Sequence, residues 1–137
     1  MLRSSSVRLF ALVLGCLAAA AFLRTNAIGE DSQVEKTRLL RHVVMFQFKQ
    51  TSSDEEVQEV VDAFAKLPDA IPEIAAYEHG VNNSPEGLND GLTHCFLVSF
   101  RSEEDRATYL PHPAHKAFVE ILKPHLEKVV VIDYWTD

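Results

Sequence analysis

The sequence predicts an α+β fold in which one four-stranded antiparallel sheet carries helices on one face. Three observations lead there. Two segments rich in β-branched and aromatic residues, HVVMFQFK from His42 and THCFLVSFR from Thr93, read as strands. Helical stretches that open on capping residues and early acids follow each of them. A third β-branched run, VVVIDYW from Val129, closes the chain.

Taken in order, the first strand places His42, Val44, Phe46 and Phe48 on one face and Val43 and Met45 on the other. Thr51 to Glu56 then supplies cap residues and acids. Val57, Val60, Val61, Phe64 and Leu67 recur at helical spacing, and Pro68 is expected to end that helix. Residues 74–81 read as a strand and 82–91 (NNSPEGLNDG) as a loop. In the next strand His94, Phe96, Val98 and Phe100 share one face, opposite Cys95 and Leu97. Ser102 to Asp105 caps a short helix reaching Tyr109. A Pro-His-Pro turn redirects the chain into a helix from about Ala114, with Phe118, Ile121 and Leu122 apolar and Pro124 as its stop. The order β-α-β-β-α-β is that of a ferredoxin-like sandwich.

A sheet with one open face alternates apolar and polar residues. Here Val43, Met45, Cys95, Leu97, Val129 and Val131 are all apolar on the side assigned away from the helices. A second copy is expected to cover that side, giving a homodimer with a barrel-like centre.

The first 27 residues carry an export pattern: Arg3 and Arg8, an apolar run from Leu9 to Leu23, then Thr25-Asn26-Ala27. The run falls short of the roughly 20 residues that span a bilayer, so cleavage after Ala27 and a periplasmic or secreted protein are expected. Lipidation at Cys16 is the alternative, which would anchor the protein to a membrane; an organelle transit peptide is a third option. Residues 28–40 read as a flexible leader and 41–137 as the domain. Cleavage removes three arginines and no acid, making the formal charge of −7 still more negative. An acidic surface argues against nucleic acid or anionic membrane as partner. Cys95 is then the sole cysteine, so no internal disulfide can form. It reads as a buried small hydrophobe.

The segment Tyr109-Leu110-Pro111-His112-Pro113-Ala114-His115 holds a phenol and two imidazoles on a stiff turn. That pairing can donate a hydrogen bond and accept a proton near neutral pH. His42 and His94, on otherwise apolar strand faces, are candidates for the same pocket. His79 and His125 read as surface residues. No metal is expected, since no carboxylate or cysteine pair joins the histidines at ligand spacing. No cofactor is expected either: the chain holds no phosphate-binding glycine loop, serine elbow or haem motif.

The HVVMFQFK and THCFLVSF strands, the YLPHPAHKAF segment and the closing VVVIDYW strand together resemble the stress-responsive dimeric α+β barrel family. The resemblance covers Arg41 to Trp135 and implies two four-stranded sheets facing each other in a homodimer. In the family's polyketide cyclases the positions of Tyr109 and His115 carry the chemistry. Those of His42 and His94 line the pocket, and His112 is also kept here. The resemblance therefore implies catalytic His115 and Tyr109, with His42, His94 and His112 as ligand contacts. Two functions follow. One is an exported barrel holding a small apolar or aromatic molecule. The other is a cofactor-free cyclase or lyase with a His base and a Tyr hydroxyl.

Overall fold

Four strands form the antiparallel sheet, and the computed structural model describes residues 38–137. The expected export segment, the Cys16 alternative and the leader up to residue 37 lie outside the described residues. β1 (Leu40–Phe48) and β3 (His94–Phe100) are the central strands. β2 (Ala76–Val81) and β4 (Leu126–Trp135) are the edges, in the order β2-β3-β1-β4. This is the ferredoxin-like topology the element order predicts. β1 begins at Leu40, the last residue of the expected leader, which is buried between Phe100 and Trp135.

The helices start where short polar side chains satisfy free N–H groups. α1 (Asp54–Ala65) opens on a capping box: Ser53 Oγ accepts from Glu56 N at 3.3 Å, and the Glu56 carboxylate accepts from Ser53 N at 2.8 Å. Its buried stripe is Val60, Val61 and Phe64. Pro68 does not end the helical path. It sits in the first turn of a short α2 (Leu67–Ala70), where a missing N–H costs nothing. α3 (Glu103–Tyr109) is capped by Ser102, and α4 (Pro113–Leu122) buries Phe118 and Leu122. Ile121 is exposed rather than part of that stripe, because one helical step turns it away from Leu122.

The core lies between sheet and helices, where Leu40, Val44, Phe46, Phe96, Val98 and Phe100 meet Val60, Phe64, Tyr109 and Phe118. The alternation expected of β1 and β3 is present. That of β4 is shifted by one. Val131 pairs with Val44 and Val129 with Phe46, so both lie on the helix side. Val130, Ile132 and Tyr134 take the open face beside Met45, Val43 and Arg41. Four consecutive apolar residues, Val129 to Ile132, carry no alternation from which the side can be read. Cys95 is exposed on the open face, not buried, because no helix among the described residues crosses that side.

Candidate functional site

A cavity of 420 Å³ opens between the sheet and α4, running along β1 from His42 to Phe46, with its polar groups at the His42 end. Its walls are mainly apolar: Val44, Phe46, Phe64, Phe118, Leu122, Leu126 and others. Its polar groups are His42, Tyr109, His115 and Asp133. Leu110, Val129 and Val131 line it yet remain about half exposed, which puts its mouth beside the β4 edge.

Tyr109 is the last residue of α3 and 0% exposed. Its ring packs edge-on to His42 at 5.9 Å, against Phe100 at 5.1 Å and against His115 at 4.4 Å between centroids. Its hydroxyl is buried and has no hydrogen-bond partner. Burial pushes the phenol's pKa up, with a smaller contribution from Tyr77, so it stays protonated and able to donate.

His115 lies in the first turn of α4, held by the turn before it. His112 N donates to the Tyr109 carbonyl at 3.0 Å, and Pro113 stands at the helix start. His115 Nδ1 lies 2.9 Å from the Leu110 carbonyl. A carbonyl only accepts, so Nδ1 carries the hydrogen, and in the neutral ring Nε2 holds the lone pair. Burial lowers the pKa of His115; the Leu110 bond opposes this, and His42 and His112 nearby add to it. At neutral pH the ring is therefore a neutral proton acceptor.

His42 is 6% exposed. Its Nδ1 lies 2.6 Å from Asp133 Oδ1, and Arg106 Nη1 donates to Asp133 Oδ2, also at 2.6 Å. The carboxylate only accepts, so His42 too carries its proton on Nδ1. Asp133 and Arg106 were not among the residues singled out from the sequence. Asp133 is the single acid in the VVVIDYW run, and with the correct alternation it falls on the helix side opposite His42. That was the available signal for it. Arg106 gave none.

The four imidazoles expected in one pocket do not all meet there. His94 pairs with Phe46, four positions along the strands from the His42–Val98 pair, or roughly 13 Å at strand rise. Its ring stands edge-on to Phe48 at 5.0 Å, and its Nδ1 bonds the Thr93 hydroxyl at 2.9 Å. Burial lowers its pKa, with His79 adding. It borders a different hollow, beneath the 82–93 loop with Met45, Leu88 and Cys95. His112 faces the helix instead: its Nδ1 accepts from Ala114 N at 3.2 Å and caps α4. Both are thus corrected from ligand contacts to groups outside this cavity, His94 by register and His112 by its capping bond. His79 is exposed, while His125 is half-buried against Ser52. Among the described residues, no three His, Cys, Asp or Glu side chains are placed to hold a metal ion.

Comparison with known proteins adds a frame. Residues 40–136 match the model of the stress responsive A/B barrel domain. A stress-response A/B barrel domain-containing protein of Arabidopsis thaliana is 39% identical over 95 residues, 69% of this chain and 87% of that protein. Olivetolic acid cyclase of Cannabis sativa is 26% identical over 95 residues, 69% of this chain and 94% of the cyclase. The hydroxynitrile lyase of Passiflora edulis superposes with a TM-score of 0.69 at 25% identity, covering 74% of this chain and 95% of the lyase. A dimeric ferredoxin-like protein of unknown function from Thermobifida fusca gives 0.62 at 28% identity, over 74% of this chain and 93% of that one.

Proposed function

This chain belongs to the stress-responsive A/B barrel domain family, and we propose that its cavity binds a small apolar or aromatic molecule presenting one oxygen to Tyr109 and His115. The observation that carries this reading is the buried Tyr109 hydroxyl without a partner. An unmade hydrogen bond of that kind costs about 1–3 kcal/mol. A carbonyl or hydroxyl oxygen entering the cavity would accept from it, while the ligand's apolar body covers Phe46, Phe64, Val129 and Val131.

A second reading, a cofactor-free cyclase or lyase, is favoured by the tautomer of His115. With Nδ1 bonded to Leu110, Nε2 can take a proton from carbon or oxygen of the bound molecule. The Tyr109 O–H would then stabilise the oxygen that gains negative charge. A cyclase and a lyase among the relatives support this chemistry. Titration with acetophenone by calorimetry tests the binding reading. His115→Ala should weaken binding roughly tenfold with little change in melting temperature, the loss of one directed polar contact. Unchanged binding with a large fall in melting temperature would make His115 structural. Deuterium exchange into the acetophenone methyl group, dependent on His115, separates catalysis from binding alone.

The assembly belongs to the same proposal. Val43, Leu97, Val130, Ile132 and Tyr134 form an apolar open face, and dimeric neighbours such as the Thermobifida fusca protein support two copies meeting there. Leu97→Asp should give monomers in sedimentation, because an unpaired carboxylate buried in that interface is strongly unfavourable. A wild-type protein that is monomeric at micromolar concentration would refute it. Export is proposed on residues 1–27 and is checked by the intact mass of the protein from its native host.

A further inference from the structure

Arg106 does not line the cavity, yet among the described residues it is the one Lys or Arg side chain bonded to a carboxylate that does. Asp133 stands on β4 in an otherwise apolar stretch of the helix-facing side. Its two oxygens are divided, Oδ1 to His42 Nδ1 and Oδ2 to Arg106 Nη1, each at 2.6 Å. The other groups around His42 exert no comparable directional hold. Tyr109 on α3 meets it edge-on through its ring, Phe100 on β3 is apolar, and His115 on α4 is near enough only to interact through charge. Arg41, its neighbour in sequence, points to the opposite face and bonds the Ser99 hydroxyl.

We propose that Arg106 is a positioning residue for the cavity, clamping Asp133 so that its other oxygen fixes the Nδ1–H tautomer of His42. A carboxylate with one partner can rotate about its terminal bond and swing its oxygen out of line with the imidazole N–H. With Arg106 holding Oδ2, Oδ1 has one place to go. His42 is thereby kept with Nε2 as its free ring atom, and the cavity wall keeps two imidazoles in the same tautomer. The functional consequence rests on the ligand-binding reading above, but the clamp itself is a property of the free protein.

Nitrogen NMR of the His42 ring in unliganded protein at neutral pH is the test. The wild type should show the Nδ1–H signature. Arg106→Met should lose it to a tautomer mixture, and Arg106→Lys should largely restore it. Acetophenone binding should weaken about fivefold in Arg106→Met, the scale of one misdirected hydrogen bond. A His42 signature identical in wild type and Arg106→Met would overturn the clamp, whatever the ligand data show. A lost signature with acetophenone binding absent from the wild type would support the clamp and count against the ligand reading instead.

Discussion

The two ends of the helix-covered sheet face carry the same kinds of residue and do different things with them. At one end His42 sits with Tyr109, His115, Asp133 and Arg106 around a cavity. At the other, His94 and His79 lie against Phe48 and Phe96, with ring centroids 5.0 and 5.8 Å apart. Phe64, Phe96 and Phe46 fill the space between, and Phe64 stacks on Phe96 at 4.5 Å. An imidazole on an apolar strand face becomes a candidate site only where the neighbouring elements leave space and supply polar partners. Where aromatic rings fill that space, the imidazole lies against them: His94 half-buried, His79 exposed.

Substitutions should separate the two ends by what each loses. Phe96→Ala, in the filled middle, is expected to cost about 3–5 kcal/mol of stability, since a fully buried ring leaves a hole its neighbours cannot close. Chemical denaturation measures this, and a loss below about 1 kcal/mol would mean the aromatic cluster is loosely packed. At the cavity end Tyr109→Phe should behave in the opposite way. It removes only a hydroxyl that has no partner, so stability should stay level or rise by up to about 1 kcal/mol, while acetophenone affinity falls. A clear loss of stability would show that the hydroxyl is bonded in the folded protein.

The smallest effect is in pH dependence. The folded pKa of His115 lies below its unfolded value, so the unfolded chain binds more protons as acid is added. The neutral ring's contribution is complete above the unfolded pKa of about 6.5 and is lost as the pH falls from there through the lower folded pKa. His115→Gln should flatten that part of the stability curve. His94 is also lowered by burial, so a residual slope should remain and disappear only when His94 is replaced as well. An unaltered slope in His115→Gln would assign the acid sensitivity to other groups.

Much of the fold was legible because its signals are local. Capping at Ser53 and Ser102, the stripe Val60, Val61 and Phe64, and the alternation of His42 to Phe48 need only nearby residues to be read. The same holds for Tyr109 and His115: they stand six positions apart on a segment stiffened by two prolines, and both do reach one cavity. Pro68 was misjudged because a proline suits a helix start as well as a helix end.

What the sequence by itself determined, then, is which residues are strand or helix and which side chains share a strand face. Only the tertiary structure decided which residues of different strands stand opposite one another. His42 meets Asp133 across a separation of 91 residues, and Arg106 joins them from a third element. His94 shares a face with His42 through the β1–β3 pairing, but the register sets it at the other end of the sheet. The run Val129 to Ile132 has no alternation to reveal its buried side, so the placement of Asp133 had to come from pairing with β1. Side-chain direction follows from backbone geometry within a few residues, whereas register is settled by packing the whole sheet at once.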